Sequence, residues 1–271
     1  MSQYKIQYKI EAGTGQHIGN RSEQQDRTAL FTAKTAPGYL LAILSDGMSG
    51  HSGGKLAAEQ VMHTAKQLFE IYNPQRVSVQ QMLQNIITEA HTMIKLLGIS
   101  NQAEPHSTVV ALILTPDGDA MWAHVGDSRL YRFHAKQFIE HTTDHSYVEQ
   151  LVQDGKISRD AAKNHRRSNL LVNALGTTIR EPFITFGEHK QLVAGDAFLL
   201  CSDGLWHYFA DKELAAAVAL KTPRQASEML IEKAQERAKG NGDNCSMVIV
   251  KLVAPPPEDP GYKVEKLMRA V

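Results

Sequence analysis

The sequence predicts an α+β fold in which mostly antiparallel strands and consecutive pairs of helices form separate layers. A Pro-Asp-Gly turn at 116–119 separates two apolar runs, which is typical of an antiparallel hairpin. Helical periodicity extends over 55–72 and again over 79–97, and a second pair of helices is predicted at 211–220 and 223–240. Helices that come in pairs, not singly between strands, argue against a doubly wound parallel sheet.

Polar residues indicate where three of these helices begin. Ser78 with Gln81 forms a capping-box pattern at the second helix. Asp211 is the predicted cap of the third helix. Thr222, followed by a proline and by Gln225, starts the fourth.

The strand pattern begins near the N-terminus. Period-two alternation at 4–10 predicts a half-exposed strand, and the glycines at 13–20 predict a loop after it. A turn is predicted at Pro37-Gly38, between strands at 27–33 and 39–44. Later apolar runs predict strands over 108–114, 120–125, 128–134, 197–201 and 247–253.

One carboxylate stands at the end of the central predicted strand. Asp46 follows the apolar run and is itself followed by four glycines within eight residues, after which a helix begins. A buried strand needs no carboxylate at its tip, so the charge of Asp46 must be neutralised by a partner. An acid, a glycine loop and a helix start together suggest a cation or phosphate site. No Gly-Lys-Ser/Thr follows, which excludes a P-loop.

Four further aspartates lie at the ends of predicted strands. Asp203 repeats the Ser-Asp-Gly strand end of Asp46, and Asp26, Asp127 and Asp243 border other apolar runs. Each of them alone would be a turn residue more often than a ligand. Dispersed aspartates that converge from strand ends would form an all-oxygen site, which suits magnesium or manganese better than zinc.

The composition excludes several classes of function. The 271 residues include 29 basic and 29 acidic side chains, so the balanced charge favours neither nucleic acid nor a membrane as partner. No apolar run has the length of a signal region or a membrane span. Cys201 and Cys245 are predicted to be core residues, and a cytoplasmic monomer is expected.

Taken together and in order, these motifs resemble the metal-dependent serine/threonine protein phosphatases, the type 2C or PPM family, in its bacterial stand-alone form. Each motif is weak alone, and the set spans residues 10–253. The matching pieces are Arg21 with Gln25-Asp26, Asp46-Gly47-Met48-Ser49-Gly50-His51, Ser107-Thr108, Val125-Gly126-Asp127-Ser128-Arg129, Thr143-Asp144-His145-Ser146, Ala174-Leu175-Gly176, Leu200-Cys201-Ser202-Asp203-Gly204-Leu205 and Asp243-Asn244-Cys245-Ser246.

The resemblance implies a four-layer α-β-β-α sandwich, with two antiparallel sheets flanked by helix pairs. The phosphatase domain would span 1–253, and 144–188, which is less apolar than its flanks, would be a flap insertion over the site. A proline-rich tail would occupy 254–271.

The resemblance also implies the roles of the site residues. Asp46 would bridge two Mn²⁺ or Mg²⁺ ions, Gly47 would offer its carbonyl oxygen, and Asp203 and Asp243 would complete the shell. Asp127, with Asp203, would bind a third ion. Behind these ligands, Asp26 would hold a metal-bound water and Asn244 would support the site. Arg21 would grip the substrate phosphate, because its guanidinium donates two parallel hydrogen bonds.

Some positions depart from the family pattern. Met48 stands where eukaryotic members carry a histidine proposed as general acid, so that acid is unassigned, and water is the suggested substitute. His51 is the nearest alternative, although we favour a structural role for it. Asn173 replaces a common arginine in the flap. Asp144 and His145 are interpreted as caps of a flap helix.

The implied activity is hydrolysis of phosphoserine and phosphothreonine on proteins by a metal-bridged hydroxide, without a covalent intermediate. A serine/threonine kinase or its targets would be the substrate. The alternative is a pseudophosphatase that binds phosphoproteins without turnover, which the loss of a ligand carboxylate would favour. All the predicted ligand carboxylates are present in the sequence.

Overall fold

The computed structural model describes residues 8–48, 53–163 and 165–255. Within these ranges the chain forms strands and helices in the following order. They are β1 (Lys9–His17), β2 (Arg27–Ala33), β3 (Ala36–Ser45), β4 (Gly47–Met48), α1 (Gly54–Glu70), α2 (Val79–Asn101), β5 (His106–Ser107), β6 (Val109–Leu114), β7 (Ala120–Val125), β8 (Arg129–His134), β9 (Gln137–His141), α3 (Tyr147–Gln153), α4 (Arg159–Lys163), β10 (Thr185–His189), β11 (Asp196–Cys201), α5 (Asp203–Trp206), α6 (Asp211–Leu220), α7 (Pro223–Ala238) and β12 (Cys245–Val253).

Two five-stranded sheets form the centre of the molecule. One has the strand order β1-β12-β11-β8-β9 and the other β10-β7-β6-β3-β2, and neighbouring strands pair antiparallel in both. A third, two-stranded sheet joins β4 to β5. The predicted hairpin around 116–119 is confirmed, because β6 pairs with β7.

Three apolar clusters establish the order of the layers. Side chains from both sheets, such as Leu44 and Phe198, share one cluster and therefore lie between the sheets. A second cluster joins α1 and α2 to β3 and β6, and a third joins α6 and α7 to β11 and β12. Each sheet thus has one face on its partner and the other on a helix pair. The four-layer α-β-β-α sandwich is confirmed.

The helix starts agree with two of the three predicted caps. Ser78 accepts a hydrogen bond from the backbone N–H of Gln81 at 3.2 Å, and Thr222 accepts one from Gln225 at 3.3 Å. The cap predicted at Asp211 is wrong, because Ala210 precedes the helix and Asp211 is its first residue. The Glu213 carboxylate accepts a hydrogen bond from the backbone N–H of Ala210 at 3.0 Å and so closes the first turn of the helix.

Two predicted strand boundaries are also wrong. The glycine-bearing segment 13–20 is not all loop, since β1 continues through Gly13 and Gly15. A Cβ at Gly15 would lie 2.8 Å from the Cβ of Ser227, and one at Gly13 would lie 3.1 Å from the Cβ of Pro223. These glycines therefore allow α7 to approach the strand closely. The part of the predicted strand before residue 8 lies outside the described residues.

The turn predicted at Pro37-Gly38 lies earlier in the chain. Both residues belong to β3, and the reversal occurs at 34–35. Ala33 of β2 pairs with Ala36 of β3, so the two-residue turn between them comes before the proline.

All five predicted site aspartates lie at strand ends, as expected. Asp46 follows β3, Asp26 precedes β2, and Asp127 separates β7 from β8. Asp203 follows β11 after one residue, and Asp243 precedes β12 by two. In the described part of the chain, the helices are too short or too polar to span a bilayer.

Candidate metal and phosphate site

The strand ends and the loops beside them enclose a cleft of about 520 Å³. Its walls contain four of the five aspartates, with Asp26 buried behind them. Two residues of the segment 144–188, which the sequence predicts to be a flap, also reach it. The lining residues are Arg21, Ser22, Glu23, Gln25, Asp46, Gly47, Met48, Asp127, Asn169, Leu171, Asp203, Asp243 and Asn244.

The backbone of Asp46 is held by two neighbouring hydroxyl residues. Its N–H donates to Thr108 Oγ1 at 3.0 Å, and its carbonyl accepts from Ser107 Oγ at 2.8 Å and from the Thr108 N–H at 2.9 Å. The main chain at the strand end is therefore saturated with hydrogen bonds. The carboxylate is left to face the cleft, where it lies among the lining residues.

Gly47 brings the end of the central strand against the start of α1. A Cβ at Gly47 would lie 2.1 Å from the carbonyl oxygen of Gly54, and a Cβ at Gly54 would lie 2.7 Å from that of Gly47. Only glycine at both positions permits this backbone contact. These two glycines therefore pack the end of the central strand against the start of α1.

Asp26 is fully buried behind the cleft. Ser202 Oγ donates to its Oδ2 at 2.8 Å, and Ser202 Oγ also accepts from the Ser246 N–H at 3.1 Å. Its other oxygen, Oδ1, is buried and has no hydrogen-bond partner among the described residues. Burying a carboxylate oxygen without a hydrogen bond costs free energy, so Oδ1 is a position where a further hydrogen-bond donor or a cation would be stabilising.

Asp203 occupies the first turn of α5, directly beside the Asp243 segment. A Cβ at Gly204 would lie 2.0 Å from the backbone oxygen of Asn244, so the glycine allows the two segments to touch. His207 Nδ1 lies 3.7 Å from Asp203 Oδ2, one turn along the helix.

Asp127 sits on a turn that is secured by an aromatic and an arginine. The Trp206 indole N–H donates to the Asp127 carbonyl at 3.0 Å. The guanidinium of Arg129 stacks 3.6 Å above the Trp206 ring and forms two 2.8 Å hydrogen bonds to Asp144. This arrangement fixes the turn without using the Asp127 carboxylate.

Asp243 is paired with Arg21 across the mouth of the cleft. Arg21 Nη2 lies 2.5 Å from Asp243 Oδ2, and both side chains are partly exposed. The other oxygen, Oδ1, accepts from the Asn244 N–H at 2.7 Å. In this structure the Arg21 guanidinium therefore pairs with a carboxylate of the cleft.

The pKa of Asp46 is raised well above its usual value by burial, and it is raised further by every other aspartate of the cluster. Burial raises the pKa of Asp127 well above its usual value too, and the charge of Asp203 adds to it. The pKa of Asp203 is raised by burial and the charge of Asp243 against the opposing effect of His207. Every one of these shifts would be relieved by a nearby cation.

Burial also raises the pKa of Asp26, to about 7, and the neighbouring serine side chains, which lower it, offset only part of this shift. A carboxyl group with such a pKa can hold or release a proton near neutral pH.

The donor set fits a hard divalent cation by its chemistry. It consists of oxygen atoms, it carries excess negative charge, and it includes the unpartnered Oδ1 of Asp26. Among the described residues, however, no three aspartate, glutamate, histidine or cysteine side chains are grouped closely enough to hold an ion as they stand. Carboxylates that no cation bridges repel one another, and the Asp243 carboxylate is paired with Arg21.

The interpretation of Asp144 and His145 as helix caps is wrong. Ser146 is the N-cap of α3 and accepts from the Glu149 N–H. Asp144 pairs with Arg129, and His145 lies in a buried hydrogen-bond network at the base of the flap. His145 Nδ1 accepts from the Gly126 N–H at 3.1 Å and from the Asn173 side chain at 2.8 Å.

The contacts of several supporting residues were not predicted from the sequence. Ser202 and Thr108 are short polar side chains whose contacts to the acids cross 176 and 62 residues of chain. Both belong to motifs that carry the family resemblance, but neither motif indicates which aspartate its side chain contacts. Asn169 and Leu171 reach the cleft from the flap, and no local pattern marks them. Position 51, weighed as a general acid, lies outside the described residues.

Comparison with known proteins agrees with this geometry. The family described as Protein phosphatase 2C matches residues 13–237. The serine/threonine phosphatase stp of Listeria monocytogenes is 29% identical over 242 residues, which cover 85% of this chain and 91% of that protein.

Two solved structures share the fold. The serine/threonine phosphatase of S. agalactiae superposes with a TM-score of 0.80 at 28% identity, covering 90% of this chain and 99% of the other. The catalytic domain of the protein phosphatase PstP, described in complex with two manganese ions, gives a TM-score of 0.73 at 25% identity, with 90% and 98% covered. The family match spans most of the chain, and each of the two solved structures aligns with 90% of it. The chain therefore belongs to the protein phosphatase 2C family, which confirms the resemblance seen in its motifs and the enzyme class they imply, a protein serine/threonine phosphatase.

Proposed function

We propose that this chain hydrolyses phosphoserine and phosphothreonine on proteins at a site that holds two Mn²⁺ or Mg²⁺ ions. One observation carries the proposal, namely that four strand-end aspartates line one cleft and that the fifth, Asp26, is buried behind them. Such a concentration of like charge destabilises the folded protein unless bound cations neutralise it. The names of the related phosphatases support protein substrates, and the manganese-bound relative supports the metal.

The proposal assigns each acid a role. Asp46, Asp203 and Asp243 would hold the two ions together with the carbonyl oxygen of Gly47, and Asp127 would hold a third ion with Asp203. When bound, such ions screen the charge of a phosphate ester and lower the pKa of the water that attacks phosphorus.

Side chains of the protein would orient the water and bind the phosphate. Asp26 would orient a water molecule through Oδ1, since Ser202 already anchors Oδ2. Arg21 would bind the phosphate with its guanidinium, which is 60% exposed at the rim of the cleft. Met48 lines the cleft and cannot donate a proton, so water would supply the proton to the leaving oxygen.

The proposal extends to the setting of the reaction. The substrate would be a serine/threonine kinase or its targets, and the enzyme would act as a cytoplasmic monomer. The buried, unpaired thiols of Cys201 and Cys245 are consistent with a reducing compartment. Residues up to 253 would form the phosphatase domain, with 144–188 as its flap. The tail predicted from 254 lies outside the described residues beyond 255.

A turnover assay tests this function. We expect hydrolysis of p-nitrophenyl phosphate and of a phosphothreonine peptide with Mn²⁺, and loss of both activities with Asp203→Asn. The control Asp117→Asn removes an exposed turn carboxylate and should leave turnover unchanged. No turnover with any divalent ion would reject the enzyme and leave the pseudophosphatase.

Kinetics of Arg21→Ala test the role of the arginine. We expect the variant to raise KM for the phosphopeptide with a smaller effect on kcat, because it removes binding made in the ground state. A fall in kcat at constant KM would contradict this role and place Arg21 in the transition state instead.

A further inference from the structure

Asn244 follows Asp243, and among the described residues its side-chain hydrogen bonds all go to the loop that carries Arg21. The Arg21 loop is defined here as residues 18–25. We infer that Asn244 is the positioning residue of Arg21, because it holds the backbone of the Arg21 loop against the Asp243 segment. The inference deepens the proposed function and rests on Arg21 binding the substrate phosphate.

The hydrogen bonds of the Asn244 amide carry this inference. Its Nδ2 donates to the carbonyl oxygen of Ile18 at 2.8 Å and to that of Glu23 at 3.1 Å. Its Oδ1 accepts from the Gln25 N–H at 2.7 Å. One side chain thus binds both ends of the Arg21 loop, on either side of the arginine. The residue is 6% exposed, so water does not replace these bonds easily.

The backbone contact between the two segments is a second, independent observation. Gly19 has a φ of +65°, and a Cβ there would lie 2.2 Å from the carbonyl oxygen of Asp243. The N–H of Asn20 donates to the Gly242 carbonyl at 2.8 Å. The Arg21 loop therefore touches the Asp243 segment directly, and only glycine permits this approach.

This anchoring matters because the Arg21 side chain is otherwise exposed. Its guanidinium is placed by the backbone it extends from, and it meets Asp243 at 2.5 Å. A substrate phosphate bound beside the aspartates of the cleft would need the Arg21 guanidinium close to the position that it occupies next to Asp243. Displacing a binding group by about 1 Å can reduce catalytic efficiency by orders of magnitude. The asparagine would thus act on substrate binding through Arg21 while forming no contact with the substrate.

A double-mutant cycle tests the inference, with kcat/KM for a phosphothreonine peptide as the readout. We expect Asn244→Ala to lower kcat/KM on the order of tenfold, mainly through KM. In the Arg21→Ala background the same change should cost less than about twofold, because the group it positions is gone. The control is Asp117→Asn, on an exposed turn outside both segments, which should leave kcat/KM unchanged.

Manganese affinity, measured by calorimetry without substrate, separates positioning of Arg21 from an effect on the metal ligand. We expect the Kd of Asn244→Ala for Mn²⁺ to stay within about twofold, because the backbone N–H that holds Asp243 Oδ1 remains. A tenfold weaker Kd with unchanged KM would overturn the inference. So would equal losses of kcat/KM with and without Arg21.

Two further variants keep the test valid if Asn244→Ala does not fold. Gly19→Ala should raise KM in the same way, because its Cβ would force the two segments apart. Asn244→Asp retains the acceptor for the Gln25 N–H, loses both donors and should give a similar increase in KM. If both keep the KM of the unmodified enzyme, the inference is wrong. If Arg21→Ala itself leaves KM unchanged, the proposed role of Arg21 fails instead.

Discussion

With divalent cations removed, Asp26→Asn should stabilise the folded protein at neutral pH, although Asp26 belongs to the proposed catalytic site. The carboxyl group is fully buried, and burial raises its pKa from 3.8 to about 7. At pH 7.5 folding must therefore bury a negative charge beside other negative charges. Asparagine has nearly the same shape and carries no charge, so it avoids this cost.

The pH dependence of the effect follows from the direction of the pKa shift. Because the folded protein keeps the Asp26 proton to a higher pH than the unfolded chain, this stability is complete below about pH 4 and is lost as the pH rises through 7. At 1.36 kcal/mol per pKa unit, the cost of Asp26 is about 4 kcal/mol at pH 7.5 and about 2 kcal/mol at pH 5. An amide hydrogen left unpaired offsets the gain by about 1–3 kcal/mol at both pH values. The difference between the two pH values, about 2 kcal/mol, is therefore the informative quantity.

Urea denaturation in the presence of a chelator measures this difference. The gain in unfolding free energy of Asp26→Asn over the unmodified chain should be about 2 kcal/mol larger at pH 7.5 than at pH 5. Asp117→Asn, on an exposed turn, should show no such change. Excess Mn²⁺ should reduce the gain, because cations relieve the same repulsion. Equal effects of Asp26→Asn at both pH values would refute the reasoning.

Three further predictions concern other parts of the site. Burial lowers the pKa of His145 to about 3, so the stability that the neutral ring provides above pH 6.5 is lost as the pH falls. Between pH 7.5 and 5, the unfolding free energy of the unmodified chain should therefore fall by about 2 kcal/mol more than that of His145→Asn, as measured by urea titration. Arg21→Ala should tighten Mn²⁺ binding up to about fivefold in calorimetry without substrate, because it frees Asp243 from a partly exposed ion pair; unchanged or weaker binding would contradict this. Gly204→Ala, with its Cβ 2.0 Å from the Asn244 carbonyl, should lower the melting temperature and weaken Mn²⁺ binding at least about tenfold, and unaltered affinity would show that the contact is not needed.

Much of the fold could be predicted because its signals are local. The hairpin at β6–β7 depends on a turn between apolar runs, and the caps at Ser78 and Thr222 depend on residues three positions apart. The aspartates could be placed at strand ends for the same reason, since an acid next to an apolar run is visible in a short window. Such features depend on neighbours in the chain, which the sequence displays directly.

The errors share a different origin. Gly13 and Gly15 indicated a loop, but they lie in a strand because α7, more than 200 residues later, packs against their backbone. Asp144 suggested a cap, but it pairs with Arg129, which Trp206 holds in place. In both cases the role depends on tertiary packing, by α7 in the first case and by Trp206 in the second.

The sequence by itself determined the chemical nature of this site, because the type of each donor and its position at a strand end are local properties. Only the tertiary structure decided how the donors are arranged. It buried Asp26 against Ser202, paired Arg21 with Asp243, and bound the Arg21 loop to Asn244. Each of these contacts joins segments separated by 176 to 226 residues. Distances of that kind depend on how the two sheets pack, and no local pattern of residues records them.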